Sequence, residues 1–378
     1  MSTPPVPVAP QVITLLGYEV RVAPWLLDEA GRIATQVARA RTWAVITDDH
    51  VGPIAAPQLI GSLRHFAPHS RVILRAIHAG EQEKTRESWT QLTDWLLEER
   101  CGRDTAIIAL GGGVVGDLAG FVAATFMRGV PFVQVPTSLL AMVDASVGGK
   151  VGVDTRHGKN LVGAFHQPAA VLVDPTVLQT LPVEHLRAGF AEIVKHGVIA
   201  DPEYFDAAHR TGVEILGTDP AHVAWHGQAL ADLVARSVRI KADVVTRDAH
   251  EHGLRQVLNF GHTIGHAVEL LSDFTMLHGE AISIGMCLEA QLAVHLGLAQ
   301  PALAERLAGT LRALGLPTIL PSGMAPSALL DAMRLDKKAR SGTLVFALPS
   351  RIGAMADAER GVGVEDAAVE RILAEVAS

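Results

Sequence analysis

Ala106-Ile-Ile-Ala-Leu110 runs without a break into Gly111-Gly-Gly113-Val-Val-Gly116-Asp117, after which 118–126 has helical spacing. An apolar run closed by glycines and followed by a helix predicts the strand, turn and helix that open a nucleotide-binding βαβ unit. The spacing G-x-G-x-x-G brings backbone N–H groups and a helix N-terminus close to a pyrophosphate; the competing reading is a tight turn with no ligand. Outward from this stretch, Ala44-Val-Ile-Thr47, Val72-Ile-Leu74, Phe132-Val-Gln-Val135 and Ala170-Val-Leu-Val173 are further β-branched runs. Helical patterns separate them, among them 87–100, whose Trp89, Leu92, Trp95 and Leu96 form one core-facing stripe. Strands alternating with helices predict a parallel sheet.

Beyond Leu181-Pro182 the pattern becomes helical, over 184–199, 221–245, 263–271, 281–296, 301–314, 326–331 and 364–376. Thr343-Leu-Val-Phe-Ala-Leu348 and Arg351-Ile-Gly-Ala-Met355 read as a late hairpin or strand-turn insertion around Pro349-Ser350. The expected division is a Pro-rich tail at 1–10, an α/β Rossmann-like domain at 11–180 and a mainly α-helical domain at 181–378.

The 378 residues are enough for two or three domains. With 49% hydrophobic and 19% charged residues, the composition excludes a disordered chain. A formal net charge of −8 argues against general attraction to nucleic acid or an anionic membrane, so any anion site must be local. No signal peptide or membrane-spanning run is expected, and two cysteines, Cys101 and Cys287, make no disulfide framework. Both features fit a cytoplasmic protein.

The acidic residue that a dinucleotide site of the ordinary type carries about 20 positions after its glycines is missing here. Asp48, after an earlier strand, is the substitute, with Glu81 and Lys84 as further contacts; ordinary surface charge is the bland alternative for all three. Arg128, Lys150, Lys159, Lys195, Lys241, Arg255, Lys337 and Lys338 lie in or beside glycine-rich or apolar stretches, where an unpaired cation is costly. Such cations suit an anionic substrate; taken singly each also reads as a solvated or salt-bridged residue, and it is their joint occurrence that points to a site. His262 and His266 stand at i, i+4 and face one way on a helix, and His278 follows. Protease chemistry is disfavoured, because the glutamate of H-E-x-x-H is absent. Glu192, a carboxylate on an otherwise apolar helix, is the best third member of a metal site. Helix-capping or core histidines remain the alternative.

Several of these stretches closely resemble the 3-dehydroquinate synthase family. They are Gly111 to Phe121, Val135-Pro-Thr-Ser-Leu-Leu140, Asp144 through Ser146-Val-Gly-Gly-Lys150, and Gly158-Lys-Asn160-Leu-Val-Gly-Ala-Phe165. To them are added Ala191-Glu-Ile-Val-Lys195, Leu258-Asn259-Phe-Gly-His262-Thr-Ile-Gly-His266, His278-Gly-Glu280 and Asp336-Lys-Lys338. The resemblance implies an NAD-binding Rossmann-like domain, a helical metal- and substrate-binding domain, and a site in the cleft between them. It implies that Glu192, His262 and His278 hold Zn2+ or Co2+, which moves His266 from ligand to substrate contact. NAD would meet Asp48, Glu81, Lys84, Gly113, Val114, Val115, Gly116, Asp117, Thr137, Ser138, Lys159, Val177, Leu178, Gln179 and Thr180. The substrate phosphate would meet Lys150, Asn160, a lysine of the Lys337-Lys338 pair, and Arg128 from the second subunit of a homodimer. Its carboxylate would meet Lys241, Arg255 and Asn259, while Lys195 and Asp144 orient hydroxyls and relay protons.

The activity implied is that of a lyase converting the sugar phosphate 3-deoxy-D-arabino-heptulosonate 7-phosphate into 3-dehydroquinate and phosphate, in the shikimate pathway of aromatic amino acid biosynthesis. The nearest alternative is another sugar-phosphate cyclase, making a valiolone or an inosose from a substrate without a carboxylate. A metal-dependent alcohol dehydrogenase of the glycerol-dehydrogenase type and a non-catalytic sensor stand further off. The chain departs from the family at Thr137-Ser138, at Asp154-Thr155 and over 271–276, which lacks the usual Gly-Tyr.

Overall fold

β5 (Thr105–Gly111) is buried along its whole length, as a strand must be when helices cover both faces of its sheet. In the computed structural model, which describes residues 9–217, 227–249, 253–273, 275–335 and 343–377, it lies inside a seven-stranded sheet. The chain divides into two units, Met1–Leu181 with Trp225–Ala242, and Pro182–Ala224 with Asp243–Ser378.

In the first unit, β1 (Gln11–Leu15), β2 (Tyr18–Val22), β3 (Thr42–Asp48), β4 (Arg71–Ile77), β5, β6 (Phe132–Pro136) and β9 (Ala170–Val173) form the sheet in the order β1-β2-β9-β6-β5-β3-β4. All neighbours pair in parallel except β1 with β2. Alternation along the strands sorts the core onto two faces. Trp43, Val45, Ile108 and Leu110 pack with α1 (Ala30–Val37) and α2 (Gly52–Phe66). Ala44, Ile46, Ile107 and Ala109 pack with α3 (Arg86–Glu98) and α4 (Gly113–Thr125). From β3 the chain moves outward to β4, then returns to β5 on the other side of β3. The carboxyl ends of β3 and β5 therefore flank the point where strand order reverses, which is where open α/β sheets bind ligands.

A separate antiparallel hairpin, β7 (Lys150–Thr155) and β8 (Gly158–Phe165), turns through Arg156 and His157. Val151 and Val153 anchor it in the α3/α4 core.

The second unit is mainly helical: α5 (Val183–Ala200), α6 (Pro202–Leu216), the end of α7 (Gly227–Arg247), α8 (His262–Leu271), α9 (His278–His295), α10 (Pro301–Ala313), α11 (Pro326–Leu335) and α12 (Asp366–Ala377). α6 was not expected from the helical pattern, although Asp201-Pro202 is a start signal: the Asp201 side chain accepts the Tyr204 N–H at 3.0 Å, and proline opens the helix. The first part of α7, through Ala242, belongs to the first unit. There Gln11 donates to Asp232 and accepts from Arg239, both at 2.6 Å.

The expected late hairpin is corrected. β10 (Leu344–Phe346) pairs with β13 (Val362–Val364), and β11 (Pro349–Arg351) pairs with β12 (Ala354–Met355). The tight turn at Gly353 closes only the shorter ribbon, so the longer apolar run finds its partner farther along the chain. Among the described residues, no helix is long and apolar enough to cross a membrane.

Candidate active site

In the first unit, the glycine turn after β5 forms the start of α4, and Gly112 at its N-cap has no side chain to satisfy the helix N–H groups. Gly111, Gly112, Gly113, Gly116, Pro136 and Ser146 line a small cleft there. The Thr137 N–H donates to the Gly111 carbonyl at 2.9 Å, which places Thr137 and Ser138 beside the glycines. Val114 and Val115 follow in the first turn of α4, with Val115 in the core. Val177, Leu178, Gln179 and Thr180 lie in a 3-10 turn, Pro175–Thr180, after β9. Asp48 closes β3, but its Oδ1 accepts the N–H groups of His50 and Val51, so one carboxylate oxygen is committed to the entry of α2.

Lys84 lies at the centre of a knot of polar side chains. Its Nζ is 2.6 Å from Asp117 Oδ2 and 2.6 Å from Asn160 Oδ1. Burial works against the Lys84 ammonium, but the charges of Asp117 and Glu81 outweigh it and hold its pKa above the ordinary lysine value. Lys159 Nζ lies 3.5 Å from Glu81. The hairpin tip is fixed by Asp154, whose N–H donates to the Lys84 carbonyl and whose Oδ1 accepts the Asn160 N–H, both at 2.7 Å.

Asp144 lies in a π-helical turn, Ala141–Ala145, of the kind that re-aims a side chain at a functional site. Lys241 Nζ donates to both the backbone oxygen and Oδ1 of Asp144 at 2.6 Å. Lys150 and Arg128 are exposed.

In the second unit, α5 is buried on every side from Ala188 to Ile199. Glu192, fully buried, forms an ion pair with Lys195 one turn on, itself only 1% exposed. Glu192 Oε1 has no hydrogen-bond donor among the described residues. It lies 3.8 Å from the Nε2 atoms of both His262 and His278. Each ring is held from behind: Nδ1 of His262 meets the Phe260 carbonyl at 3.2 Å, and Nδ1 of His278 meets Glu269 at 3.1 Å. Such partners fix the tautomer and leave an Nε2 lone pair on each ring that could meet a metal. Burial and the nearby Lys195 charge hold the His262 pKa well below its ordinary value, so the ring is neutral and its lone pair available. A desolvated carboxylate oxygen and two imidazole nitrogens within 4.8 Å of one another suit a divalent ion with open positions. His266 stacks edge-on near His262, with ring centroids 5.1 Å apart. Arg255 is buried and donates to the Ala249 carbonyl; Asn259 is half-buried at the end of a 3-10 turn. Lys337 and Lys338 lie outside the described residues.

Residues 74–188 match the family model described as 3-dehydroquinate synthase N-terminal, and 189–339 the one described as 3-dehydroquinate synthase C-terminal. The 3-dehydroquinate synthase of Xanthomonas campestris pv. campestris (strain 8004) is 45% identical over 381 residues, covering 99% of this chain and 100% of the relative. The chain belongs to the 3-dehydroquinate synthase family. Among solved structures, 2-epi-5-epi-valiolone synthase from Streptomyces hygroscopicus subsp. jinggangensis 5008, with NAD+ and Zn2+ bound, has a TM-score of 0.84 at 30% identity and covers 97% of this chain and 98% of its own. A 2-deoxy-scyllo-inosose synthase complexed with carbaglucose-6-phosphate, NAD+ and Co2+ has a TM-score of 0.83 at 25% identity, covering 97% and 100%.

Two residues that sequence reasoning missed are Glu269, which meets His278 Nδ1, and Glu289, which accepts the Gly261 N–H at 2.7 Å. Glu269 and Glu289 are carboxylates on apolar helices, the signal that singled out Glu192, and applying it evenly finds both.

Proposed function

We propose that this chain is a 3-dehydroquinate synthase that converts 3-deoxy-D-arabino-heptulosonate 7-phosphate into 3-dehydroquinate and phosphate. The observation that carries the reading is the buried Glu192 oxygen facing two pre-oriented histidines, in a chain 45% identical to a 3-dehydroquinate synthase over its whole length. Glu192, His262 and His278 would hold a divalent metal, and the glycine turn with Asp117, Thr137 and Ser138 would hold NAD+. Held there, NAD+ would supply a reversible hydride acceptor, and Zn2+ or Co2+ would supply a Lewis acid for a substrate hydroxyl.

The protein's own residues bind and orient. Backbone N–H groups at the start of α4 receive the pyrophosphate. Lys150 and Asn160 take the substrate phosphate, joined by Lys337 or Lys338. Lys241, Arg255 and Asn259 take the carboxylate, and these three favour this substrate over those of the other cyclases, which lack that group. Lys195, desolvated beside Glu192, and Asp144, bonded to Lys241, hold the hydroxyls and move protons at their oxygens. His266 faces the substrate beside the metal ligands. Oxidation and reduction cancel, so the net chemistry is phosphate elimination and ring closure, and NAD+ is not consumed.

Assembly as a homodimer in the cytoplasm belongs to the same proposal. The exposed Arg128 would serve the neighbouring subunit's phosphate site, and the two cysteines are free and buried. Phosphate release tests the substrate assignment. Release from the heptulosonate phosphate, abolished by chelation and restored by Zn2+ or Co2+, is expected; release from sedoheptulose 7-phosphate or glucose 6-phosphate alone refutes it. Arg255→Ala should raise KM about tenfold or more, since a charge-assisted bond is worth about 1.5–3 kcal/mol.

A further inference from the structure

Two of the three metal-ligating side chains read above sit on the first residues of their helices, His262 on α8 and His278 on α9. The pairing of those helices therefore sets the spacing of the imidazoles. They approach backbone to backbone: a Cβ at Gly285 would stand 1.9 Å from the Gly261 carbonyl oxygen. Gly261, the N-cap of α8, has φ +80°, a conformation that favours glycine, and it brings no side chain to cap the helix.

The missing cap comes from α9. Glu289 is fully buried, one turn beyond Gly285. Its Oε2 accepts the Gly261 N–H at 2.7 Å and its Oε1 accepts the Ile264 N–H at 3.2 Å. A carboxylate on these two donors satisfies groups a helix start leaves open, with charge-assisted bonds and a favourable helix dipole. His278, Ile282, Gly285 and Glu289 recur at intervals of four, three and four, so they share one face of α9. The stripe that begins with one ligand thus ends in the group that clamps the start of the helix bearing the other.

We propose that Glu289 is a positioning residue of the metal centre. Its carboxylate locks the α8 N-terminus onto α9 and so sets His262 against His278 before any metal arrives. The inference rests on the metal reading above, and the two can fail separately: wild-type protein that binds neither Zn2+ nor Co2+ defeats that reading and this one with it, whereas normal binding by the variants defeats only the role of Glu289.

The test uses the full-length chain stripped of metal. Amide exchange in wild type should show Gly261 and Ile264 protected without metal. Co2+ affinity, read by competition with a chromogenic chelator, should fall about 10–100-fold in Glu289→Ala and less in Glu289→Gln, which keeps one acceptor oxygen. The Co2+ ligand-field bands should shift in both. Leu307→Ala, a core truncation on α10, supplies a destabilised control whose Co2+ affinity and bands should match wild type. Free exchange of Gly261 and Ile264 in metal-free wild type overturns the proposal. So does wild-type Co2+ affinity and spectrum in Glu289→Gln, which preserves volume and decides the matter if Glu289→Ala does not fold.

Discussion

The two units carry buried charge in opposite ways. Around Lys84 in the first unit, each charge has its partner within the protein: Asp117 and Asn160 take the ammonium, and Asp154 ties the hairpin tip to the same place. Around Glu192 in the second, the carboxylate has Lys195 on one side and, on the other, an oxygen with no donor among the described residues, facing two imidazole nitrogens. The first arrangement is complete as folded. The second is a socket, because a buried carboxylate oxygen without a donor is costly until a cation reaches it. On the proposed reading, groups that would meet an anionic ligand can be neutralised internally beforehand, whereas a metal site would have to leave its acceptors open.

Substitutions should separate the two. Glu192→Ala is expected to weaken divalent metal binding by more than the about 10–100-fold typical of losing a supporting partner, measured by chelator competition with folding checked by circular dichroism. Lys84→Met should do the reverse, leaving metal affinity unchanged while lowering stability to urea by about 3 kcal/mol. That is the low end for breaking a buried ion pair, since Asp117 keeps 17% of its side chain exposed. A metal-affinity loss in Lys84→Met would break the distinction.

Glu269→Gln tests the support behind His278 and should weaken metal binding about tenfold. The smallest effect concerns pH in metal-free protein. The folded pKa of His262 lies below the unfolded value of 6.5, so below that pH the unfolded chain takes up a proton the folded chain refuses. Its contribution is present above about pH 6.5 and is lost as pH falls, so urea midpoints should drop on acidification, and less steeply in His262→Gln.

Much of this was legible in the sequence because it follows from local rules. The apolar run 106–110 and its glycines announce a buried strand and a helix start, and the parallel sheet follows from the alternation around it. The β1–β2 and β7–β8 hairpins were not legible. The first turns at Leu16-Gly17 with the non-glycine Leu16 at φ +47°, and β8 is exposed over most of its length, so neither shows a turn signature between two apolar runs. In the metal centre, spacing puts His262 and His266 on one helix face but cannot choose between them. The fold brings His278 within reach of both, grouping it with Glu192 and His262 and also with Glu269 and His266; the proposed ligand set takes the first group, whose carboxylate is the fully buried Glu192. The supporting carboxylates Glu269 and Glu289 carry the sequence signal of a charge on an apolar helix, but which groups they touch is set by the fold.

The assignment as a synthase predicts a reaction with no net redox change, and the near-ultraviolet absorbance of NADH, followed alongside phosphate release, tests this most directly. With heptulosonate phosphate in large excess over NAD+, phosphate should be released through many turnovers per NAD+ while NADH does not accumulate. NADH appearing in step with substrate consumed, with no phosphate released, would contradict the account and make the protein a dehydrogenase on the same fold.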